Sequence, residues 1–261
     1  MRPVTTGPYL LDLVLDHSRV PSFKDFPFNL AAVRHLRTLA FHPRVTFLVG
    51  ENGSGKSTLL EAIAVACDLN PEGGSRNFNF GTRASHSELN RYIRLKKSIL
   101  LPLDAYFLRA ESFYNVATEI ERLDAEGGGP PIGPAYGDKP LHAQSHGESF
   151  FALFENRFHG AGLYLLDEPE AALSPTRQMS FLALLHRFCE GGAQFVIATH
   201  SPIIMAYPDA WIYVLDDAGP ARVPYEETEH YKVSRAFLTS PRKMLDLLLS
   251  DDEPDDSTGS E

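Results

Sequence analysis

Residues 50–58 read Gly50-Glu51-Asn52-Gly53-Ser54-Gly55-Lys56-Ser57-Thr58, directly after the apolar, β-branched run Val45-Thr46-Phe47-Leu48-Val49. A strand that empties into a glycine-rich turn and then a helix is the setting in which this spacing has physical meaning. The glycines let the backbone curl so that several N–H groups point inward, making an anion nest at a helix N-terminus. Leu59-Leu60-Glu61-Ala62-Ile63-Ala64 supplies that helix. All nine residues of the turn, Gly50 to Thr58, are therefore candidate nucleotide-binding residues. Lys56 is placed to reach the β- and γ-phosphates of a nucleoside triphosphate, and the Ser57 hydroxyl to sit on Mg²⁺.

About 110 residues later, Leu163-Tyr164-Leu165-Leu166-Asp167-Glu168-Pro169 reads as a buried strand ending in two adjacent carboxylates. An acidic strand tip beside a phosphate nest can hold the metal's water shell, which is the role that Asp167 fits. Glu168, one residue on, points differently and is the candidate general base for an attacking water. Two carboxylates in this position favour a hydrolase over a passive nucleotide binder.

The remaining pattern alternates strands with helices. Strands are expected over 9–15, 26–33, 105–109, 162–167, 194–199 and 210–215, with a short one near 222–223. Helices are expected from the phosphate turn to about 68, and over 87–98, 113–123, 148–159, 175–189 and 230–249. Residues 71–87, rich in Gly, Asn and Ser, read as a loop. The segment 125–143 holds five Gly and four Pro and reads as a mobile surface loop. Residues 250–261 are acidic and free of apolar side chains, so a disordered tail is expected after one domain spanning 1–249. The fold class that follows is α/β, a mostly parallel sheet flanked by helices, with an antiparallel portion near the N-terminus.

A formal net charge of −10 argues against a surface that coats nucleic acid in general. The basic run from Arg91 to Lys97 reads as a solvated helix face. The two cysteines, Cys67 and Cys189, sit in apolar helical patterns as small core residues. No apolar run approaches the roughly 18–20 residues that cross a bilayer, and residues 1–8 lack a signal peptide's apolar stretch. A cytoplasmic protein without membrane insertion is expected.

Four ordered motifs carry a resemblance. Leu166-Asp167-Glu168-Pro169-Glu170 with Ala171-Ala172-Leu173-Ser174-Pro175 resembles the Walker B and D-loop of ABC-type ATPases. Ser145-His146-Gly147-Glu148-Ser149 begins 22 residues before Asp167 and resembles the ABC signature. Ala198-Thr199-His200-Ser201-Pro202 resembles the switch-histidine loop. With the P-loop, this wording is similar to the small AAA-family ATPases of bacteria, arm-less relatives of the SMC and RecF group. The signature departs from the transporter pattern, with His146 in place of the first glycine and Glu148 in place of glutamine; Ser145 and Gly147 are retained.

The resemblance implies Mg·ATP hydrolysis at a head-to-tail homodimer interface, with Lys56, Glu168 and His200 catalytic. Ser57 and Asp167 serve the metal, and Ser145, His146, Gly147 and Glu148 close the partner subunit's site. Glu111 stands where ABC proteins usually carry the Q-loop glutamine, and a salt-bridged loop carboxylate accounts for it equally well. Phe23, Phe26 and Phe28 are candidates for sheltering adenine, with core packing the commoner use of such residues. The absence of an Asn-Lys-x-Asp motif favours ATP over GTP. The family implies a nucleotide-driven clamp or switch acting on DNA or a separate effector protein, in repair or phage defence. Two alternatives stand beside it, the ATP-binding subunit of an ABC transporter and a non-catalytic switch regulating a partner. About 90 residues between P-loop and signature leave no room for a long coiled-coil arm.

Overall fold

A computed structural model describes residues 7–75, 87–109, 118, 122, 146–158 and 160–250, with only the backbone of His146 and Gly147. The expected loop 125–143, most of the loop 71–87, most of the helix 113–123, the tail residues 251–261, Glu111 and Ser145 lie outside the described residues.

The described elements run β1 (Leu10–Leu15), α1 (Ala31–Arg34), β2 (Thr38–Ala40), β3 (Val45–Val49), α2 (Lys56–Ala66) and β4 (Gly74–Ser75). Next come β5 (Ile93–Lys97), β6 (Asp104–Arg109), α3 (His146–Arg157), β7 (Gly162–Asp167), α4 (Pro175–Glu190) and β8 (Gln194–Ala198). The chain continues through α5 (Pro202–Met205), β9 (Trp211–Asp216), β10 (Gly219–Val223), α6 (Glu229–Thr239) and α7 (Pro241–Leu249).

A seven-stranded sheet has the order β10-β9-β3-β8-β7-β6-β4. The strands from β9 to β6 pair in parallel, while β10 and β4 are antiparallel edges. Parallel strands covered on both faces are apolar throughout, which is why β3, β7 and β8 are buried at every position. Side chains alternate between two cores. Phe47, Tyr164, Leu166, Phe195 and Ile197 pack with Phe154, Phe181 and Leu185 of α3 and α4. Leu48, Leu165, Val196 and Ala198 face α2 and a second, three-stranded antiparallel sheet of order β2-β1-β5. The buried Gln194 fastens this N-terminal sheet to β8. Its Oε1 accepts from the Tyr9 and Leu10 N–H groups, and its Nε2 donates to the Leu10 and His42 carbonyls.

Three expectations are corrected. Residues 26–33 do not form a strand: Pro27 has no N–H for a ladder, and the Asp25 carbonyl accepts from both Phe28 and Asn29, turning the chain into α1. Residues 87–98 are not one helix but a 3-10 turn, Glu88–Arg91, followed by β5. The period of two in Ile93-Arg94-Leu95-Lys96 points the apolar pair inward. Arg94 reaches Asp16 at 2.7 Å and Lys96 reaches Asp12 at 3.5 Å, so the basic run is a solvated strand face. Finally, the helix expected over 230–249 breaks at Ser240, because Pro241 cannot continue it and instead opens α7. Both cysteines are buried and free, as expected.

Candidate functional site

The site is built on one rung of the parallel sheet. Leu48 pairs with Ala198, Ala198 with Asp167, and Asp167 with Arg109, so the carboxyl ends of β3, β8, β7 and β6 stop level with one another. Ligands of open parallel sheets bind outside such strand ends. Beyond this rung the Glu168 N–H donates to the Ala198 carbonyl at 2.9 Å, and the Thr199 N–H to the Leu48 carbonyl at 3.2 Å.

Past β3 the chain enters the glycine turn. Gly50 has φ +154° and passes so close to the β9 end that a Cβ there would lie 2.6 Å from the Leu215 carbonyl oxygen. Gly55, at φ +98°, adopts the left-handed conformation that starts α2. Lys56 is buried, at 3% exposure, and its ammonium donates to the Gly50 and Glu51 carbonyls at 2.9 and 2.8 Å. Burial pushes its pKa below the usual lysine value, opposed by the Glu168, Asp167 and Glu170 carboxylates. The turn is thus closed over a cation.

A cavity of about 260 Å³ opens over this turn. Asn52, Gly53, Gly55, Lys56, Ser57 and Thr58 of the turn line it, together with Glu168, Phe26 and Leu30. Gly50, Glu51 and Ser54 are not in that lining. Gly50 and Glu51 serve through their carbonyls, and the Ser54 hydroxyl is buried with no hydrogen-bond partner among the described residues. Of the three phenylalanines, Phe28 is in the core and Phe23 packs against it, while Phe26 is 63% exposed at the cavity mouth.

The Ser57 hydroxyl donates to Asp167 Oδ1 at 2.9 Å. These hard oxygen donors, beside a phosphate nest, suit Mg²⁺. Among the described residues no group of three or more His, Cys, Asp or Glu could hold a metal ion. Asp167 has a second neighbour that the sequence reading missed. Arg109, at the level end of β6, lies with Nε 3.7 Å from Asp167 Oδ2 and donates from Nη1 to Glu61 Oε2 at 2.9 Å. The only sequence signal for this was a charged residue closing each of two apolar strands.

Glu168 adopts φ 51° and ψ 53°, left-handed geometry that costs a non-glycine residue roughly 1 kcal/mol and concentrates at functional sites. Its Oε1 lies 3.7 Å from His200 Nε2. His200, in the loop after β8, donates its backbone N–H to Glu170 Oε1. Burial lowers its pKa, with Lys56 acting in the same direction. His200 Nδ1 lies 3.2 Å from His230 Nε2 at the start of α6, a neighbour that scattered histidines in the sequence gave no reason to single out. Of the signature residues, His146 and Gly147 form the first turn of α3, and Glu148 is exposed on it.

A phosphate turn, a hydroxyl–carboxylate pair and a further carboxylate, gathered at the carboxyl ends of β3, β8 and β7, have the make-up of a P-loop nucleoside-triphosphate site. Two family models match: "AAA domain" over residues 22–123, and "AAA domain, putative AbiEii toxin, Type IV TA system" over residues 148–206. Over 162 residues the chain is 31% identical to the cytochrome c biogenesis ATP-binding export protein CcmA of Mesorhizobium japonicum, covering 60% of this chain and 78% of that protein. A nucleotide-free ATP-binding cassette from an ABC transporter is similar in fold, with TM-score 0.50 and 18% identity over 88% of this chain and 96% of the cassette. The SMC head domain from Thermotoga maritima gives TM-score 0.44 and 19% identity over 83% and 99% of the two chains. The chain belongs to the AAA/ABC-type ATPases. No helix among the described residues is long and apolar enough to cross a membrane.

Proposed function

We propose that this chain binds Mg·ATP in the cavity over residues 50–58 and hydrolyses it at an interface shared with a second copy. The observation that carries the reading is that Lys56, the Ser57–Asp167 pair, Glu168 and His200 gather just beyond the level carboxyl ends of β3, β8 and β7. The phosphates lie in the N–H nest of the turn, with Lys56 exchanging its carbonyl partners for phosphate oxygens. Ser57 and Asp167 would hold Mg²⁺, which supplies charge neutralisation at the β- and γ-phosphates. Glu168 accepts the proton of a water that attacks the γ-phosphorus, and the bond from phosphorus to the ADP oxygen breaks. His200 donates toward the γ-phosphate and steadies Glu168. Phe26 forms the shelf for adenine, since its exposed ring stands at the cavity mouth. Ser145 and Gly147 of a second copy close the site. The work is positioning and charge neutralisation rather than covalent chemistry.

The biological reading is a nucleotide-driven clamp or switch acting on DNA or a separate effector protein, in repair or phage defence. It is supported by the second family model's reference to a toxin of a toxin–antitoxin system and by the motifs shared with the SMC and RecF group. The printed name of the export-protein relative supports a second reading, the ATP-binding subunit of a transporter. Phosphate release with and without double-stranded DNA tests the first. Stimulation by DNA supports it, and turnover that responds only to a co-purified membrane protein supports the second.

A further inference from the structure

His230 belongs to none of the motifs described above, yet its Nε2 lies 3.2 Å from His200 Nδ1. The geometry points to His230 as a positioning residue that holds His200 in the tautomer able to donate toward the nucleotide. This rests on the ATPase reading above.

Two imidazole nitrogens 3.2 Å apart, His200 Nδ1 and His230 Nε2, can hold only one hydrogen between them. If His200 Nδ1 carried it, His200 Nε2 would present a lone pair to the Glu168 carboxylate 3.7 Å away. If His230 Nε2 carries it, His200 Nε2 becomes an N–H facing that carboxylate and the phosphate nest. Electrostatics selects the second arrangement. His200 Nε2 is buried with Glu168 Oε1 3.7 Å away, and a carboxylate is better faced by an N–H than by a lone pair. The charged groups around the pair are Lys56, Glu168, Glu170 and Glu229, and burial favours the neutral form of both rings.

His230 is held firmly in place. It follows the buried Thr228, whose Oγ1 accepts from the Tyr231 N–H and donates to the Tyr225 carbonyl. The Tyr225 hydroxyl in turn donates to the Pro202 carbonyl at 2.8 Å, two residues beyond His200. The start of α6 and the loop after β8 are therefore pinned together. The second position of a helix also disfavours an imidazolium, because the dipole there is positive.

The test pairs kinetics with a direct view of the proton. Long-range ¹H–¹⁵N correlation of the labelled full chain should show His200 protonated at Nε2 and bare at Nδ1, and His230→Leu should mix the two tautomers. His230→Leu should lower kcat roughly 10- to 100-fold, the range found when the partner orienting a metal-bound imidazole is removed, with KM for ATP little changed. His230→Gln, whose Nε2 amide still donates, should restore most of the rate. A wild-type His200 protonated at Nδ1 would overturn the assignment, as would a His230→Leu enzyme at the wild-type kcat or equal losses in Leu and Gln variants. A wild-type chain without Mg·ATP turnover would sink the functional reading alone, because the tautomer spectrum still decides the role of His230.

Discussion

Ser57 and Asp167 meet at 2.9 Å although 110 residues separate them, joining the first turn of α2 to the tip of β7. If the pair shares Mg²⁺, Ser57→Ala and Asp167→Asn should each raise the Mg²⁺ concentration needed for ATP binding. The double variant should cost less than the sum of the two, since each single change already breaks the shared site. Titrating a fluorescent ATP analogue at stepped Mg²⁺ concentrations measures this. Strict additivity would separate the two residues.

Arg109 leaves Glu61 as a partly buried carboxylate when it is removed. Arg109→Leu should destabilise the fold by about 3 kcal/mol, the cost of breaking an ion pair from one side. The Arg109→Leu/Glu61→Leu double variant should recover a good part of that loss. Urea unfolding of the variants decides, and a destabilisation by Arg109→Leu of only a few tenths of a kcal/mol would contradict the pairing.

Much of this was legible in the residues. The P-loop, the acidic tip at Asp167 and Glu168, and the loop of His200 are local motifs, each fixed by a strand and the turn that ends it. The strands that carry them are continuous apolar runs, which declare themselves without alternation. The misread segments are those where a local preference lost to tertiary pairing. The 93–97 run became β5 because β1 offered a ladder and two aspartates for its basic side chains. Arg109 and His230 were not legible for a different reason. Their roles depend on register across the sheet and on the docking of α6, neither of which leaves a spacing in the sequence.

Glu170 stands two residues from Glu168, and its removal should change stability rather than turnover. Burial raises the Glu170 pKa above its usual value of 4.5. The folded chain therefore binds more proton than the unfolded one just above that pH, and ionisation of Glu170 costs stability as pH rises. Glu170→Gln keeps an acceptor for the His200 N–H and removes the buried charge. Relative to wild type, the variant should gain thermal stability between acid and neutral pH and keep its turnover. A gain that vanishes toward pH 7 would contradict the assignment.

A shared interface makes activity depend on concentration. Specific activity should rise with protein concentration, and mixing Lys56→Ala with Ser145→Arg chains should leave one composite site intact and restore part of the rate. Activity per chain that is constant on dilution, with no rescue on mixing, would place the whole site within one subunit.

The most direct measurement is phosphate release by the wild-type chain and by Glu168→Gln, with nucleotide binding followed on the same samples. Glu168→Gln keeps the size and hydrogen-bonding reach of the side chain and removes its capacity to take a proton. Expected are Mg²⁺-dependent turnover in the wild type, a loss of roughly 10²–10⁴-fold in the variant as for a missing general base, and retained ATP binding. A Glu168→Gln chain that releases phosphate at the wild-type rate would contradict hydrolysis at this site.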